Sequence, residues 1–565
     1  MMNPKSLLRP LQNLKKISKS PYTITKTIIT QAKPRDNAVL EDSLEETCDI
    51  FSNSSPTFIK RIDELKAGGA LRWPRLESHQ STLTIREFCE RWKHLAPKEY
   101  AKEDGSFCIR GKLLACRVMG TRLIFIDIMQ EGETIQVKAN FSALSKISEV
   151  SEIDFQRLYH LLQRGDYISV MGHAHRTEAG QITVMADTLP KIISPSLACL
   201  PRSLLNQETR MQNRHVDLIL NQKLQQTLRM RFQLIQTLRN LLLNDNFIEV
   251  QTPLIADKAS GAFARPFITS SAVISNKKLA LRVAPELWLK RLIIGGFDRV
   301  FEIGSAFRNE GFDANHNPEF TTCEFYKAFT DLEELISKTE ELLLGLAKAA
   351  HDIREERLRT LPKVDIDNFR PPFKRINFIP AIEFALGESL PDLAAEDAEE
   401  NIITLFKRHK IPLIKSPTLP RLLDKLSAHF LEPMCIKPTF IIQHPACMAP
   451  LAKSFLDPVS NQIVSARAEL FANNKELANM YEEENSPIKQ RSNFEKQGKF
   501  RDIENDGYVD ESYLSALEWG LPPTGGWGCG IERLVMLLTG SERISEVLSF
   551  GSLKNVVNLG KASSS

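Results

Sequence analysis

Glycine occupies every second position of one short segment near the end of the chain, at Gly526, Gly528 and Gly530. A mostly apolar stretch follows at once, so the pattern predicts a strand that runs into a helix. A strand with glycine along one face lets a flat group pack directly on its backbone. Arg533 falls in the first turn of that helix, where the helix dipole disfavours a cation, and this position suggests a phosphate partner. Plain tight packing of the glycines is the alternative explanation.

Residues 299–310 and 316–326 predict two strands that flank a polar loop. Alternate side chains of a strand share a face, and on these two strands the polar and aromatic side chains do so. The residues concerned are Arg308 and Glu310 on the first strand and Phe320, Thr322, Glu324 and Tyr326 on the second. Such a face is unusual for contact with solvent and suits a floor that binds a charged, flat ligand. The alternative is an ordinary half-exposed sheet, which also alternates.

The chain between residues 107 and 190 contains about five short alternating segments, several of them separated by glycine-containing turns. A helical segment is predicted among them near Phe155–Arg164. This pattern predicts a small all-β barrel of the OB type over residues 96–195, with a plain β-sandwich as the alternative.

The chain from residue 226 to 557 mixes helices and strands without the regular alternation of a doubly wound fold. We therefore predict an α+β domain with a largely antiparallel sheet, joined to the barrel by a connector at 196–225. One apolar face of its first helix should pack inward, and it comprises Leu228, Phe232, Ile235, Leu238 and Leu242. Residues 384–430 are predicted to be an insertion that begins helical and acidic, and residues 558–565 a short tail.

Charge is distributed unevenly, because residues 1–35 contain eight basic residues and no acidic one. A basic, hydroxyl-bearing start that can form an amphipathic helix predicts a mitochondrial presequence, and hence a location in the mitochondrial matrix. A solvated basic tail is the alternative. The rest of the chain carries 65 basic and 70 acidic side chains, so RNA binding must be confined to a local patch. Residues 36–95 form an amino-terminal extension whose role the sequence does not indicate.

Several classes of protein are excluded by what the sequence lacks. No uninterrupted apolar run is long enough for a membrane span, so no membrane partner is expected. The nine cysteines form no CxxC pair and no zinc-type cluster with histidine, which favours reduced thiols over disulfides or a structural metal. Neither a Walker-type phosphate loop nor a GxGxxG motif is present, so a nucleotide must bind in another way.

The segment that ends at Pro253, the strand pair with its loop, and the glycine strand resemble motifs 1, 2 and 3 of the class II aminoacyl-tRNA synthetases. Other segments resemble the lysyl enzymes of this class, and they lie at residues 210–218, 260–267, 281–290, 438–440, 450–453 and 469–483. The resemblance extends from about residue 107 to 557. It implies a class II antiparallel-sheet catalytic domain preceded by an OB-fold anticodon-binding domain. Such an enzyme activates lysine with ATP and Mg²⁺ and transfers it to tRNA(Lys).

For the nucleotide, the resemblance implies that Arg308 grips the α-phosphate while Arg533 and His316 hold the outer phosphates of a bent ATP. Adenine would stack between Phe320 and Arg533, which suits an aromatic ring and a planar guanidinium. The family assigns further contacts with the nucleotide to Glu310 and Asn317, and magnesium to Glu469 and Glu476. For the magnesium pair, a solvated acidic strand is the alternative.

Lysine carries two cationic groups, so a selective pocket needs an excess of carboxylates. The lysine-binding positions that the resemblance implies are Gly261, Glu286, Glu324, Tyr326, Asn479 and Glu483. Glu286 and the backbone at Gly261 would meet the α-ammonium, and Glu483 with the Tyr326 hydroxyl would meet the ε-ammonium. Asn479 and Arg308 would meet the carboxylate of the bound lysine.

One difficulty lies in the spacing of Glu476, Asn479 and Glu483, which share a face at the period of a helix and not at that of a strand. The family implies a strand here. The segment must then contain a bulge.

The resemblance also implies contacts with the anticodon and a second subunit. In the lysyl family a phenylalanine of the barrel stacks on an anticodon base and a glutamine on the next strand reads a uridine, and these map to Phe125 and Gln136. A third position, glutamate in the family, is Gln181 here, which predicts less sharp discrimination at that base. The alternative is that Phe125 belongs to the barrel core and Gln181 to a turn.

Motif 1 lies at a two-fold interface, so a homodimer with Pro253 at its interface is expected.

Three other functions compete with this interpretation. An aspartyl or asparaginyl synthetase would share the layout, but a pocket with three carboxylates would repel aspartate. A paralogue that attaches lysine to a protein lacks the anticodon domain, which residues 107–190 supply. A non-catalytic RNA-binding derivative has no need of the intact set Arg308, Glu310, Glu469, Glu476 and Arg533.

Overall fold

The computed structural model of the chain describes residues 55–76, 81–148, 150–257, 264–274, 277–311, 313–498 and 509–557. The predicted presequence at 1–35, the backbone position Gly261 and the tail at 558–565 lie outside these residues. Within them the chain forms an amino-terminal barrel and a larger sheet domain, each with a hydrophobic core of its own.

The barrel unit begins with two helices, α1 (Pro56–Ala67) and α2 (Ile85–Arg91). Thr84 and Glu87 form a capping box at the start of α2, which fixes where that helix begins. Phe88 of α2 is fully buried in the barrel core. Arg61 of α1 donates two hydrogen bonds, of 2.9 and 3.0 Å, to the buried carboxylate of Asp166. The predicted start of the barrel domain at residue 96 is therefore wrong, because it separates α1 and α2 from the barrel on which they pack.

Five strands form the barrel: β1 (Phe107–Val118), β2 (Leu123–Gln130), β3 (Glu133–Asn140), β4 (Tyr167–Arg176) and β5 (Ile182–Ala186). Their order is β1-β2-β3-β5-β4, and β4 pairs back to β1, which closes the barrel. Only the β3–β5 pair is parallel among these neighbours. Helices α3 (Phe141–Ile147) and α4 (Glu152–Leu161) join β3 to β4, and β6 (Lys191–Ser194) pairs with β4. This is the predicted OB-type barrel, and the β-sandwich alternative is excluded.

The connector forms helices α5 (Gln207–Gln212) and α6 (Arg214–Leu220), followed by the long α7 (Gln222–Asn244). Arg214 is 1% exposed and donates to the backbone carbonyls of Ser545, Leu548 and Ser549, so the connector is fixed to the end of the sheet domain. The predicted apolar face of α7 is wrong at Phe232, which is 58% exposed. Leu228, Leu238 and Leu242 are buried as expected, and Ile235 packs against the core.

The first half of the sheet domain comprises β7 (Ile248–Glu249), β8 (Ile255–Ala256), β9 (Ile268–Ser270), β10 (Lys278–Leu281), α8 (Glu286–Ile294), β11 (Arg299–Phe307), β12 (Glu319–Ala328) and α9 (Leu332–Glu356). The middle comprises β13 (Lys374–Asn377), α10 (Phe378–Leu386), α11 (Ala398–Arg408), α12 (Leu419–Phe430) and β14 (Thr439–Ile442). The last part comprises β15 (Ser454–Leu456), β16 (Ile463–Ser465), β17 (Arg467–Ala472), β18 (Lys475–Glu482), α13 (Pro487–Gly498), α14 (Glu511–Leu517), β19 (Thr524–Gly530), α15 (Ile531–Thr539), α16 (Ile544–Val547) and α17 (Leu553–Val557).

The main sheet has eight strands in the order β13-β14-β17-β18-β19-β12-β11-β7. Its central pairs are antiparallel, and only the outermost pairs, β13–β14 and β11–β7, are parallel. One face packs on α7, α9 and α15 through a core that includes Phe301, Phe325, Leu470 and Trp527. The fold is therefore the predicted α+β class with a largely antiparallel sheet.

The insertion consists of α10, α11 and α12, which connect the paired parallel strands β13 and β14 along the chain. These helices enclose a separate hydrophobic cluster. It starts at Phe378, so the predicted start at residue 384 falls inside α10 and is too late. Among the helices of the described residues, none has the combination of length and apolar character that a membrane span requires.

Candidate active site

The glycines of β19 lie between β12 and β18, and their register builds a shallow channel in the sheet. Gly526, Gly528 and Gly530 pair with Tyr326, Glu324 and Thr322 of β12. On the other side, Gly526 and Gly528 pair with Tyr481 and Asn479 of β18. Because glycine has no side chain, the walls are formed by the two flanking strands; we call this channel the glycine trough.

The surroundings of these glycines differ from one position to the next. A Cβ atom at Gly526 would overlap the carboxylate of Glu483 and the ring of Tyr326, so this glycine is required by tight packing. A Cβ atom at Gly530 would meet no described atom within 4 Å. The trough is thus filled by side chains at Gly526 and open at Gly530. We call the filled end the Glu483 end and the open end, which lies near Arg533, the Arg533 end.

The predicted bulge occurs in β18. Leu470 pairs with Ala478, but Phe471 pairs with Glu476, so Leu477 is an extra residue. This insertion shifts the alternation and leaves Leu477 and Ala478 buried while Glu476 is half-buried. Glu476 and Asn479 therefore lie on the open side of the sheet although their spacing is odd.

At the Arg533 end, two of the residues predicted for the outer phosphates contact each other. Arg533 Nη2 lies 2.9 Å from His316 Nε2, and Arg533 Nη1 donates to the Glu476 carboxylate at 3.2 Å. The other ring nitrogen of His316 lies 3.0 Å from the Asp313 carboxylate. An Nδ1 proton donated to Asp313 leaves Nε2 as an acceptor for Arg533, so these groups hold one another in place.

Glu469 of β17 lies among basic side chains. It pairs with Arg467 on its own strand, and His444 Nε2 lies 3.1 Å from its second oxygen. Burial opposes ionisation of this carboxyl, but Arg467, His444 and Arg533 outweigh burial and hold its pKa at about 2. Arg467 also donates to the Asn479 side chain at 3.0 Å and thereby joins two predicted ligand sites.

The residues around Arg308 depart in part from the prediction. Strand β11 ends at Phe307, so the prediction of a strand as far as Glu310 is wrong, and Glu310 lies exposed in a bend. The Arg308 guanidinium lies 5.1 Å from the centre of the Phe320 ring. Adenine would therefore need the other face of Phe320 or a displaced arginine. Asn317 uses its amide to donate to the Glu319 carbonyl at 2.6 Å and to accept from the Leu553 backbone at 3.0 Å.

The Glu483 end contains a buried lysine between two of the predicted acidic residues. Lys290 of α8 is 0% exposed, lies 2.6 Å from the Glu286 carboxylate and pairs with Glu483. The Tyr481 hydroxyl donates to Glu286 at 2.7 Å. Burial disfavours a charged amine, but Glu286 and Glu483 hold the pKa of Lys290 above its ordinary value. Burial raises the pKa of Glu483 well above its usual range, against the attraction of Lys290.

Glu324 completes this acidic group. Burial raises its pKa to about 8, and the nearby Glu286 adds to the rise, while Arg308 opposes it. The Tyr326 hydroxyl donates to Glu324 at 3.3 Å. The Tyr326 ring lies against the same glycine as Glu483.

Several residues that build the site were not singled out from the sequence: Arg231, His444, Arg467, Tyr481 and Glu532. Arg231 of α7 donates to Glu532 at 2.8 Å and to the Thr321 hydroxyl at 2.9 Å, which ties α7, β12 and α15 together beneath Phe320 and Arg533. Arg467 and Tyr481 share a face with Glu469 and Asn479 at period two, so strand alternation could have indicated them. No local pattern marks His444 or Arg231.

On the barrel, Phe125 lies on the outer surface. Its neighbours Ile124 and Ile126 are 0% exposed in the core, whereas Phe125 is half-buried on the opposite face. The alternative that Phe125 belongs to the barrel core is therefore excluded. Gln136 of β3 lies on the same outer surface and donates to Asp127 at 3.4 Å. Gln181 is exposed in the turn before β5.

Pro253 is exposed between β7 and β8. Three apolar neighbours are also exposed: Ile248 by 49%, Leu254 by 46% and Ile255 by 52%. Ile248 lies on β7, an edge strand of the main sheet, and Ile255 on β8, an edge strand of the separate sheet β8-β10-β9. Exposed apolar side chains grouped in this way are typical of a contact surface between proteins.

Comparisons with known proteins identify relatives over most of the chain. The family model for tRNA synthetases class II (D, K and N) matches residues 206–554. The chain is 40% identical over 496 residues to a mitochondrial lysine–tRNA ligase of Schizosaccharomyces pombe, covering 86% of this chain and 91% of that protein. It is 36% identical over 565 residues to lysine–tRNA ligase cla4 of Cladosporium cladosporioides, covering 98% and 91%. It is 36% identical to a lysine–tRNA ligase of Mycoplasma mobile, covering 85% and 94%.

Proposed function

The chain belongs to the class II tRNA synthetases as a lysine–tRNA ligase, and we propose that it binds lysine at the Glu483 end of the glycine trough and serves translation in mitochondria. The observation that carries the first part is the buried group of carboxylates. Glu286, Glu324 and Glu483 are each at most 8% exposed; Glu286 and Glu483 are joined through Lys290, and Glu324 lies beside Gly528 of the trough. Two ammonium groups of a lysine would compensate charges that water cannot reach.

In the proposed reaction the lysine carboxylate attacks the α-phosphate of ATP, and the bond to pyrophosphate breaks. Arg308 lies between the two ends of the trough, since it stacks on Phe320 and lowers the pKa of Glu324 through its charge. It is therefore placed to orient the carboxylate and to stabilise charge on the α-phosphate. Arg533 and His316 would hold the outer phosphates until pyrophosphate leaves.

Magnesium would be held by Glu469 and Glu476, together with phosphate oxygens of ATP. The donor set fits this ion, because carboxylates are hard ligands and Glu469 is held ionised. Burial raises the pKa of Glu432 to about 7, and Asp424, Glu469 and Glu476 add to the rise, which indicates an accumulation of negative charge beside the site. When bound, the metal supplies charge neutralisation on the phosphates.

The test of the proposed amino acid is ATP–pyrophosphate exchange with each of the twenty amino acids. Lysine alone should drive exchange. Glu483→Gln should cost roughly 2–5 kcal/mol, the scale for removing one partner of a buried charge pair. Glu482→Gln is the matched control, because Glu482 faces away and accepts a hydrogen bond from the Leu332 backbone. Exchange by the Glu483 variant within about threefold of the parent, a change below 1 kcal/mol, would contradict the proposal.

For tRNA(Lys), we propose that Phe125 stacks on an anticodon base while Gln136 and Gln181 contact base edges. Support comes from the outward position of Phe125 and from Arg117 and Lys138, which pair with it across the neighbouring strands. Phe125→Ala should weaken charging by an amount equivalent to about 1–3 kcal/mol. Tyr167→Ala, which removes a 44% exposed aromatic ring elsewhere on the barrel, is the control.

The predicted weaker discrimination among anticodon bases at Gln181 has a separate test. Gln181→Glu should sharpen the preference among tRNA(Lys) variants with single anticodon substitutions, because glutamate only accepts hydrogen bonds whereas glutamine also donates. An unchanged preference would mean that Gln181 is a turn residue without contact to the base.

We further propose a homodimer with Pro253 and its exposed apolar neighbours at the interface. Sedimentation should give twice the mass of the 64.0 kDa chain. Leu254→Glu should shift the protein toward monomer by placing a charge in the interface. Phe384→Glu, at a 91% exposed position on α10, should leave the mass unchanged. An active monomeric parent would refute this assembly.

The proposal of a mitochondrial matrix location rests on the basic, acid-free start and on the mitochondrial relative from Schizosaccharomyces pombe. A fluorescent fusion of the full chain should enter mitochondria. A fusion that begins at residue 36 should remain in the cytosol. Equal cytosolic distribution of both fusions would contradict import.

A further inference from the structure

Lys290 occupies an unusual position for a charged residue. It lies one helical turn after Glu286 on α8, is 0% exposed, and pairs with both Glu286 and Glu483. These two carboxylates are the ones proposed to bind the α-ammonium and the ε-ammonium of the substrate. An ammonium of the protein itself therefore bridges the groups that recognise opposite ends of the ligand.

The environment of Lys290 retains its charge without access to water. Glu286 is on the same helix and Glu483 follows β18. The titratable side chains that face it from the other packed elements are tyrosines, and their ring centres lie 5.9 Å from Nζ at Tyr326, 5.6 Å at Tyr481 and 5.9 Å at Tyr513. Aromatic faces attract a cation without providing a competing charge.

The charges of the pocket can be counted with and without substrate. Glu286, Glu324 and Glu483 supply three negative charges, which Lys290 and Arg308 offset by two. With all three carboxyl groups ionised, the pocket has one excess negative charge, and in the free protein the raised pKa of Glu324 allows a proton to neutralise it. A bound lysine has two ammonium groups and one carboxylate, so it adds one positive charge and makes the pocket neutral. Without Lys290 the same pocket would retain an unpaired buried charge, which is costly.

We propose that Lys290 is a specificity-determining positioning residue, whose ammonium holds Glu286 and Glu483 in place and sets the pocket charge so that an amino acid with one net positive charge neutralises it. This inference rests on the proposed lysine site. Lys290 does not touch the reacting atoms; it acts through the two carboxylates.

A merely structural role would consist of tying α8 to the end of β18. It predicts loss of thermal stability and a uniform loss of activity. The charge-setting role predicts effects on lysine and on proton binding that leave ATP binding unaffected, and it predicts that removal of a compensating negative charge restores function.

The experiment measures ATP–pyrophosphate exchange by the full-length protein as a function of lysine, ATP and pH. Lys290→Met should raise KM for lysine about hundredfold, as expected when one partner of a buried pair is removed, with KM for ATP changed by less than about threefold. Its activity with lysine should reach half-maximum at a higher pH than in the parent, since an uncompensated carboxyl takes up a proton.

The second variant is Lys290→Met combined with Glu324→Gln, which removes one charge of each sign. Its affinity for lysine should be at least about tenfold higher than that of Lys290→Met alone, because the pocket with bound lysine is neutral again. Lys290→Arg keeps the charge and should retain the pH profile of the parent. Lys338→Met is the matched control, because Lys338 pairs with Asp245 outside the pocket.

Failure of the inference and failure of the proposed function give different results. A parent without lysine-dependent exchange overturns both. An active parent, with KM for lysine and the pH profile unchanged in Lys290→Met, overturns the inference alone. If Lys290→Met does not fold, as judged by circular dichroism, the double variant and Lys290→Arg decide. A double variant that folds and binds lysine supports charge balance, and a shifted pH profile in Lys290→Arg, or a double variant that also fails to fold, overturns it.

Discussion

The two ends of the glycine trough hold carboxyl groups in opposite states, although both lie on the same face of one sheet. At the Arg533 end, Arg467, His444 and Arg533 outweigh burial and hold the pKa of Glu469 at about 2. At the Glu483 end, burial raises the pKa of Glu324 to about 8, with Glu286 adding to the rise. The local supply of cations, rather than burial itself, therefore decides the charge of each end.

In the proposed function, this difference assigns the two substrates to different ends of the trough. In the proposed function the Arg533 end binds phosphates, because Arg467 and Arg533 lie beside its carboxylates and magnesium held by Glu469 and Glu476 would add positive charge. The Glu483 end has more carboxylates than cations, so it favours a ligand that carries positive charge. Each end is suited to the substrate that the other end would repel.

The largest effect is expected from Arg467→Met, which tests whether cations create the Arg533 end. Arg467 pairs with Glu469 and donates to Asn479, so its loss leaves a buried carboxylate uncompensated and an amide unpositioned. We expect kcat/KM for ATP and for lysine each to fall by a factor of about 100 to 1,000, equivalent to about 3–4 kcal/mol.

Arg467→Lys provides the control for charge. It keeps a cation but lacks the planar fork that contacts both partners, so it should recover only part of the activity. Equal activity of the methionine variant and the parent in pyrophosphate exchange would show that the Arg533 end does not depend on this residue.

Gly526→Ala should affect only the Glu483 end and thus sharpen the comparison. The added Cβ would overlap Glu483 and Tyr326, and displacement of binding groups by about 1 Å costs on the order of a hundredfold in rate. We therefore expect about a hundredfold loss of kcat/KM for lysine and a nearly unchanged KM for ATP.

Gly530→Ala is the matched substitution at the other end of the same strand. Its Cβ meets no described atom within 4 Å, so the thermal unfolding temperature should stay close to that of the parent. An effect of Gly526→Ala on ATP that equals its effect on lysine would contradict the separation of the two ends.

The pH dependence of lysine binding should show the smallest effect per step, about tenfold for each pH unit. Glu324 is protonated below its pKa of about 8 in the free protein, and bound ammonium groups favour its ionised form. Lysine binding therefore releases a proton, so Kd should fall by about tenfold per pH unit from pH 6 to pH 8 and then level off.

Calorimetry in buffers of different ionisation enthalpy measures the proton released. Glu324→Gln should reduce the slope, because it removes one of the carboxyl groups whose pKa is raised by burial. ATP binding should lack this slope, since Glu469 is ionised throughout the range. A flat dependence for lysine in the parent would contradict the raised pKa at the Glu483 end.

Patterns within single elements were predictable from the sequence. Alternation on β12 indicated that Phe320, Thr322, Glu324 and Tyr326 share a face, and the pairing with β19 places that face in the trough. The bulge at Leu477 was required by the spacing of Glu476 and Asn479 once a strand was assumed. Both inferences work because the backbone period fixes side-chain direction locally.

Relations between distant elements were decided by the tertiary structure alone. The spacing of Glu286 and Lys290 along a helix places these two residues close together. Nothing in the sequence indicates that Lys290 also pairs with Glu483, which follows β18 far along the chain. Likewise His444 reaches Glu469 because it follows β14, which pairs with β17. The exposure of Phe232 and the burial of Phe88 show the same limit, because an apolar side chain does not specify which surface will cover it. Local periodicity determines the face on which a residue lies, whereas the packing of elements far apart in the chain determines what that face meets, and hence which charges are compensated.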